Sequence, residues 1–440
     1  MSPQLKSAPR RLLLFGMSGL VAACAGRSRP VPVTPAEIPS LQAQAARQPS
    51  NAQVRFRLAA ALMAAGRCDT AVVVANAAQL QSPADALGPM VIGGCQEKDG
   101  RYDLAYVTYT DFATRHPQAR GVAGVRALAQ IALRTQATQT AKLALAREST
   151  LSTLPPEPAT LAVLPLTIAG DSSLQPLSRG LAELITSDLA LVRSLRLLER
   201  MQVGSLLDEL RLSQTARVDS ATAARVGRML RAERMVQGVA AIPQHGPVRL
   251  SASVVRGDGT VRTGAEAHGT FKQLLDLEKQ LVLALATQLG IELTEAERQR
   301  ILRQGPKNLA AFLAYSQGLE ALDRGDYRAA GTAFNSAVRA DPSFSAAREQ
   351  QQGAAAAPAV QASPGDYVTV VEATAQISQL PGPASGGTLQ QSTTDVSQTI
   401  ADVTGQTGVS ATSSNPTTES QGITSIVQAS GGIRIIFKRP

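Results

Sequence analysis

Few side chains of this sequence could form a chemical site, because 440 residues contain three cysteines and three histidines. Two thiols, Cys68 and Cys95, need further ligands at suitable spacing to hold zinc. None of the three histidines, His116, His245 and His268, lies at such a spacing. The sequence also lacks a glycine-rich phosphate loop, a dinucleotide fingerprint and an H-E-x-x-H motif. We therefore predict no enzymatic activity, no cofactor and no metal site.

The third cysteine, Cys24, ends a pattern typical of exported proteins. Three basic residues precede an apolar run at residues 12–23, which has the length of a signal-peptide core but is too short to span a bilayer as a helix. The run ends in V-A-A-C at residues 21–24, which resembles the lipobox of bacterial lipoproteins. This resemblance implies a signal peptide at residues 1–23 and lipidation of Cys24. Because Ala25 rather than Asp follows, it also implies an outer-membrane address. An ordinary cleavable signal with a chance cysteine is the alternative.

Cysteine usage agrees with export. Apart from Cys24, the chain has only Cys68 and Cys95, an even number in a compartment where disulfides persist. We expect a structural disulfide between them, and two unpaired cysteines that pack between helices are the alternative.

Composition and charge favour packed helices in several domains. The chain is 44% hydrophobic but has only 8 Phe, 6 Tyr and no Trp, so its cores must be built from Ala, Leu and Val. The net charge of +9 is dispersed along helical stretches beside acidic residues, as at residues 225–234. This pattern is typical of solvated helix faces, and we predict no nucleic-acid partner.

An internal repeat of 34 residues organises the first part of the chain, after a linker at residues 24–50. Six positions recur at this period, namely Leu58, Leu62, Gly66, Ala71, Ala78 and Pro83, matched by Ile92, Gln96, Gly100, Ala105, Phe112 and Pro117. The period resembles that of tetratricopeptide repeats, which are helical hairpins. The resemblance implies tetratricopeptide-like helices over residues 51–150, and residues 121–147 are predicted to close this array as one further helix.

A third copy of the repeat stands far downstream, at residues 307–350. A lone repeat cannot bury both of its faces, so it must pack on a neighbouring helix, on the tail or on another chain. We therefore predict that Leu319, Tyr327 and Phe334 form a protein-binding or oligomer contact. A repeat stack can equally present a groove to a peptide or act as a spacer.

Residues 157–300 have a different rhythm and are predicted to form a mixed α/β domain. A β-type apolar run at residues 160–166 is followed by an amphipathic helix at residues 177–193. Further along, Asp219 is a helix N-cap candidate and Asp258-Gly259 marks a hairpin turn. The predicted fold class is α+β and multidomain, with helical repeats flanking this domain.

This region resembles the domain shared by curli-secretion lipoproteins of the CsgG type, the flagellar FlgO lipoprotein and TolB N-terminal-like proteins. The matching motifs are V-L-P at 163–165, L-E-R at 198–200, L-D-E-L at 207–210, A-A-R-V-G at 223–227 and V-Q-G at 236–238. None of them is catalytic in that family, and each is also explained as structure, with Glu199-Arg200 as a polar strand end. The curli exporter needs long membrane-spanning hairpins, whereas residues 236–271 barely supply the core strands and one hairpin.

The tail, residues 351–440, is rich in Ala, Ser, Thr, Gln and Gly, and most of it is predicted to lack a packed core. Two islands, residues 367–377 and 432–438, are predicted to be strands. They are expected to pair with each other, to add to the sheet edge of a partner, or to do neither.

These features predict a lipid-anchored protein on the periplasmic side of the cell outer membrane. Its predicted role is a protein–protein scaffold in assembly or secretion of a surface structure, and its partners are the membrane and periplasmic or outer-membrane proteins. A further copy of the same chain, in a homo-oligomer, is another partner that the sequence allows. The alternatives are an oligomeric export channel whose barrel is contributed by the C-terminal strands, and an enzyme with an unrecognised site.

The first testable prediction concerns the anchor. Cys24→Ser removes the thiol that would carry the diacylglycerol, and each lost methylene contributes about 0.8 kcal/mol of membrane affinity. The variant should become soluble or retain its signal peptide, as measured by membrane fractionation. Labelling of the wild type with a palmitate analogue is the direct assay, and a wild type without lipid would contradict the assignment.

Overall fold

The structure, a computed structural model, describes residues 32–210, 219–377, 425–428 and 434–438. In these ranges a layer of helices packs against a mixed α/β domain. The predicted fold class is confirmed. The elements belong to one unit that covers residues 32–440. Within the described ranges, no helix combines the length and apolar composition needed to cross a membrane.

The first part of the chain forms helical hairpins. The elements are a 3₁₀ helix at Pro35–Glu37, α1 (Ile38–Arg47), α2 (Ala52–Ala64), α3 (Cys68–Gln81), α4 (Leu87–Lys98), α5 (Tyr102–Arg115), α6 (Val122–Ala146) and α7 (Glu148–Leu151). Gly66 and Gly100 turn the chain in the two hairpins, with φ of +76° and +69°, a region that favours glycine. Ala71 and Ala105, which occupy the same position in the two repeats, are both fully buried.

The α/β domain follows. Its elements are β1 (Glu157–Val163), β2 (Thr167–Gly170), a 3₁₀ helix at Ser172–Leu174, α8 (Leu177–Leu189), β3 (Arg196–Leu198), α9 (Arg200–Glu209), α10 (Ser220–Leu230), β4 (Ala232–Ile242), β5 (Val248–Arg256), β6 (Val261–Gly269), a 3₁₀ helix at Phe271–Gln273, α11 (Leu274–Gln288) and α12 (Glu295–Arg303). Asp219 caps α10 by accepting a hydrogen bond from Thr222 N at 2.8 Å, as predicted. The short β2 and α12 were not predicted.

The sheet is parallel at its centre and antiparallel on both sides. The strand order is β6-β5-β4-β1-β3-β8-β7, and β2 pairs with β4 beyond the end of β1. Parallel pairs join β1 to β3 and β4, for example Thr160 opposite Arg196 and Leu161 opposite Arg234. β4, β5 and β6 form an antiparallel meander.

Both faces of β1 are covered, which explains why its sequence is a continuous apolar run without alternation. Leu161 and Val163 lie in the core that α8 and α11 complete on one face. Ala162 and Leu164 lie in the core that α9, α10 and the end of α6 complete on the other face. The α/β domain is therefore a sheet with helices on both faces. One of the helices on the second face, α6, also belongs to the layer of helical hairpins.

The third hairpin is not isolated. Its helices are α13 (Leu309–Arg324) and α14 (Tyr327–Ala340), followed by α15 (Ser345–Ala362) and α16 (Tyr367–Thr374). α14 packs on α15, and α15 packs along α6, so both sets of hairpins share one hydrophobic core. Gly353 makes this approach close, because a Cβ there would lie 2.5 Å from Nε2 of Gln130. The expectation that the tail lacks a packed core is wrong for residues 351–374.

The first predicted tail strand, residues 367–377, is also wrong, because the structure has α16 there. Asp366 caps this helix by accepting a hydrogen bond from Thr369 N at 3.2 Å. Tyr367, Val370 and Thr374 lie on one helical face and are buried, and this burial outweighs the β propensity of the valine-rich sequence.

The second predicted tail strand is present but has a different partner. β8 (Arg434–Lys438) pairs with β7 (Ser425–Gln428) and, antiparallel, with β3 of the same chain, with Leu197 opposite Lys438. The two predicted islands therefore do not pair with each other. Instead, the tail covers the edge that β3 would otherwise leave open.

The two cysteines of the first hairpins meet, which generates a second prediction. Cys68 begins α3 and Cys95 lies in α4, and the structure joins them in a disulfide with their Cα atoms 5.4 Å apart. Closing a loop of this length is expected to stabilise the fold by about 3 to 4 kcal/mol. The double variant Cys68→Ser and Cys95→Ser should lose that amount in chemical denaturation. Wild type in reductant is the matched comparison. Non-reducing peptide mapping that finds both thiols free in protein prepared without reductant would contradict the bond.

Candidate functional site

Two enclosed regions of the described structure are candidate sites. The first is the inner groove, which we define as the face of α2, α4 and α6 that α16 contacts. These are the first helices of the two hairpins and the helix that follows them. The second is the polar cavity, a space of about 350 Å³ between the helical layer and the α/β domain.

Glycines shape the inner groove. A Cβ on Gly94 would lie 2.3 Å from Oη of Tyr367, and a Cβ on Gly124 would lie 2.9 Å from Oγ1 of Thr374 and 3.0 Å from Cγ1 of Val370. Any larger side chain at these positions would have to displace α16. The groove is therefore fitted closely to the helix that lies in it.

A buried polar chain ends in the same groove. Tyr109 donates a hydrogen bond from Oη to Oε1 of Glu97 at 3.0 Å, and its hydroxyl lies beside Gly93 as the hydroxyl of Tyr367 lies beside Gly94. Burial raises the pKa of Glu97 to about 7, although the bond from Tyr109 opposes this rise. Burial also raises the pKa values of Tyr109 and Tyr367. Both tyrosines are therefore neutral, and Tyr109 is the hydrogen-bond donor to Glu97.

The polar cavity is lined by α5, α6, α13 and α15 on one side and by α8, α9 and β8 on the other. Six charged residues line it, namely Arg126, Glu183, Glu199, Arg200, Glu349 and Lys438. Buried charges are costly unless paired, so their partners decide what this cavity can do.

Arg200 joins the two walls of the cavity. Its guanidinium donates two hydrogen bonds to Asp323 of α13, at 2.7 and 2.8 Å, and a third to Glu183 of α8 at 3.1 Å. Arg179 donates a further bond to Asp323 at 3.0 Å. Burial alone would lower the pKa of Arg200, but the charge and hydrogen bonds of Asp323 together with the charge of Glu183 raise that pKa. The pair is a fixed bidentate link between the α/β domain and the helical layer.

β8 supplies the remaining cation. Lys438 Nζ donates to Glu183 and, at 2.9 Å, to Oγ of Ser187. Burial alone would raise the pKa of Glu183, but the charges of Lys438 and Arg200 hold it below its usual range. Ile436 is fully buried, and its backbone N–H donates to Oε1 of Gln202 at 3.1 Å. The strand is thus held by its backbone, one apolar side chain and one charge.

Two carboxyl groups of the cavity have raised pKa values. Burial raises the pKa of Glu199, which accepts a hydrogen bond from Oη of Tyr106 at 3.4 Å. Burial also raises the pKa of Glu349, whose Oε1 lies 3.9 Å from a guanidinium nitrogen of Arg126. A raised carboxyl pKa suits a general acid, but the cations lining this cavity each have a carboxylate partner among the described residues. The arrangement fits a structural ion-pair network.

The structure separates the site residues that the sequence singled out. Cys24 lies outside the described residues, and its lipidation stays a prediction. Leu319, Tyr327 and Phe334 are 2%, 6% and 0% exposed. Their assignment as partner contacts is therefore corrected, because they pack within the helical layer of the same chain. Phe334, for example, fills the space beside Gly318, where a Cβ would lie 2.4 Å from its ring.

Part of the polar cavity was indicated by residues that the sequence analysis named. Glu199 and Arg200 were singled out, but as a polar strand end. Glu183, Asp323 and Lys438 were missed, since they come from three distant segments and meet only through tertiary packing. The one local signal was a charged residue, Glu183, among the apolar positions of α8. Among the described residues, no group of three or more His, Cys, Asp or Glu side chains could hold a metal ion.

Removal of Asp323 tests the link across the cavity. Asp323→Ala leaves the buried guanidinium of Arg200 without its bidentate partner, which is expected to lower the free energy of unfolding by about 3 to 5 kcal/mol. The matched control is Glu320→Ala on the same helix, whose pair with Arg324 at 3.3 Å is largely exposed. That control should lose about 0 to 1 kcal/mol. Equal losses in urea denaturation would contradict the assigned role of Asp323.

The raised pKa of Glu97 predicts a pH dependence. Folded Glu97 binds its proton more tightly than the unfolded chain, so its contribution is fully present below its ordinary pKa and is lost as pH rises through about 7. Glu97→Gln removes this loss. The melting temperature of the wild type should therefore fall relative to that of the variant between about pH 5 and about pH 8.

The exposed Glu292 gives the control for this experiment, since Glu292→Gln should follow the wild type across the same pH range. A constant difference in melting temperature between wild type and Glu97→Gln at every pH would contradict the shift.

Comparison with known proteins gives one match. A family model described as "Curli production assembly/transport component CsgG" matches residues 160–242. The matched stretch runs from β1 to the end of β4 and includes Glu183, Glu199 and Arg200 of the polar cavity. No curated protein matches the chain. The match covers about a fifth of the sequence, and it supports a CsgG-like domain within the α/β part of the protein.

Proposed function

We propose that this protein is a lipid-anchored outer-membrane component, facing the periplasm, that acts as a protein–protein scaffold in assembly or secretion of a curli-type surface structure. The observation that carries the proposal is the match of residues 160–242 to a family of curli assembly and transport components. The arrangement of the domain supports it, because the CsgG-like stretch shares its buried cores and the polar cavity with a layer of helical hairpins. Stacked helical hairpins commonly serve as protein-binding surfaces.

The lipid anchor suits this role by position. The first described helix begins at Pro35, 11 residues after Cys24. A fully extended chain of that length spans at most about 40 Å. Lipidation of Cys24 would therefore keep the helical layer close to the membrane surface, where a scaffold meets membrane partners.

The scaffold is favoured over the channel by the position of the C-terminal strands. The channel alternative draws its barrel from the tail, but β7 and β8 extend the sheet of the α/β domain. Lys438 of β8 is also engaged in the polar cavity with Glu183 and Ser187. Using these strands in a barrel would take the partly buried Lys438 away from Glu183, and breaking such an ion pair is destabilising.

Secretion measured in cells tests the function. A strain that lacks the gene should export less of the subunit of its surface structure, and wild type should restore the export. Cys24→Ser should restore less, because the scaffold is no longer held at the membrane. Ala25→Ser, next to the cysteine, is the matched control and should restore export fully. Unchanged export in the deletion strain would overturn the proposal.

A biophysical measurement separates scaffold from channel. Purified protein in planar lipid bilayers should give no conductance, and a pull-down from detergent-solubilised membranes should recover a defined periplasmic or outer-membrane protein. Conductance together with symmetric rings that have a central opening in electron micrographs would favour the channel.

The proposed location of the protein in the outer membrane gives a further prediction. An Asp directly after the lipidated cysteine would imply the inner membrane, and this chain has Ala25 at that position. Ala25→Asp should therefore move the lipidated protein to the inner membrane. Density-gradient separation of the two membranes measures this. An unchanged distribution would contradict the outer-membrane assignment without affecting lipidation.

A further inference from the structure

The ion-pair network of the polar cavity satisfies its cations but leaves one of its carboxyl groups without a cation. Lys438 and Arg200 both pair with Glu183. Glu199 lines the same cavity and is only 7% exposed, yet no cation of the described chain forms an ion pair with it. Its side chain accepts a hydrogen bond from the hydroxyl of Tyr106 at the long distance of 3.4 Å. The acceptor capacity of this buried carboxyl group is therefore only partly used.

A buried tyrosine hydroxyl faces the same space. Tyr315 is 2% exposed, and its ring packs against the rings of Phe334 and Phe344, with centroids 5.4 and 4.7 Å away. Burial raises the pKa of Tyr315, and the charges of carboxylates that line the cavity raise it further, so its hydroxyl end is turned towards them. Within the described ranges, this hydroxyl has no hydrogen-bond partner. Buried hydroxyl groups normally have a partner, so this one points to a ligand in the cavity.

A second carboxyl group, Glu349 of α15, lies in the opposite wall of the cavity and is weakly paired. Its Oε1 atom lies 3.9 Å from a guanidinium nitrogen of Arg126, which exceeds hydrogen-bond distance. The side chain of Glu349 is 43% exposed, so a ligand can reach this side of the cavity from solvent. Deeper in the cavity, burial raises the pKa of Glu199, as expected for a carboxylate whose charge no close cation stabilises.

The rest of the lining sets the size and character of the ligand. The volume of about 350 Å³ is near the lower end of the range for small-molecule sites. Part of the lining is apolar, namely Ala113, Leu133, Met201, Leu319 and Leu322. The cations are paired while a carboxyl group and a hydroxyl group are not, so the ligand must donate hydrogen bonds and carry positive charge.

We propose that the polar cavity is a binding site for a small organic cation, an ammonium group on a short apolar chain. The ammonium group donates hydrogen bonds to the carboxylate of Glu199 and to the hydroxyl oxygen of Tyr315. Glu349 adds a second negative charge at the entrance, and the carbon chain lies along the leucines of the lining. The site differs from a protein-binding surface, and the proposal does not rest on the scaffold function.

Calorimetric titration of the full chain tests the class of ligand. The chain is held in a non-ionic detergent and phosphate buffer, since Tris is itself an amine. The probe is cadaverine, a five-carbon diamine. Pentanediol has the same carbon chain without charge, and glutarate carries the opposite charge. We expect saturable binding of cadaverine with a Kd of about 1 mM or tighter, and at least about tenfold weaker binding of the other two compounds.

Two conservative variants locate the site. Tyr315→Phe removes only the hydroxyl, so it should melt like wild type and bind cadaverine about threefold to tenfold more weakly. Glu199→Gln removes the charge but keeps an acceptor for Tyr106, and it should weaken binding by at least about tenfold. The matched controls are Tyr327→Phe and Glu320→Gln, whose side chains lie outside the cavity lining, and both should bind as wild type does.

Three results would overturn the proposal. The first is no saturable binding of cadaverine to wild type at millimolar concentration, and the second is binding of pentanediol or glutarate that equals it. The third is an affinity for cadaverine that neither Tyr315→Phe nor Glu199→Gln lowers below that of the controls, because binding then occurs elsewhere on the chain. If Glu199→Gln does not fold, the three ligands on wild type and on Tyr315→Phe still decide. These titrations do not depend on whether the protein acts in secretion, so the two proposals fail separately.

Discussion

A buried ion pair between Arg200 of the α/β domain and Asp323 of α13 is the constraint on which the rest of the structure depends. Arg200 is 4% exposed, and a charge at that depth is tolerated only with a fixed partner. Asp323 must therefore lie over the start of α9, and this places α13 against α8. The same contact holds α13 in the wall of the polar cavity. Glu183 in the opposite wall binds Arg200 and also accepts a hydrogen bond from Lys438 of β8.

The helical layer follows from this placement. Once α13 is held, α14 and α15 complete a stack that reaches α6, and the two sets of hairpins bury each other's open faces. Small residues make the approach close, as at Gly318 beside Phe334 and Gly353 beside Gln130. This explains how a chain with few aromatic residues builds a continuous core. At these points the backbone of a glycine packs against an aromatic ring or a side-chain amide, and alanine occupies many of the other buried positions.

Local signals in the sequence predicted the local structure. They could not predict contacts between residues that are far apart in the sequence. The apolar run of β1, the Asp219 cap and the turn at residues 258–259 depend on neighbours in sequence, and the structure has them as predicted. α16 was predicted as a strand because its valines favour sheets, whereas its conformation is set by the groove in which it lies. The pairing of β8 with β3 joins residues that are about 240 positions apart, and no periodicity records such a pairing. The polar cavity was missed for the same reason.

The tail thus contributes to three places at once: α15 joins the two helical sets, α16 fills the inner groove, and β8 covers the edge of β3 and enters the polar cavity. The three contacts differ in how they are held. α15 is part of the shared core, α16 adds Tyr367 and Val370 to that core, and β8 is held by backbone pairing, by Ile436 and by the contact of Lys438 with Glu183. β8 thereby keeps the sheet edge closed and lines the polar cavity between the two layers.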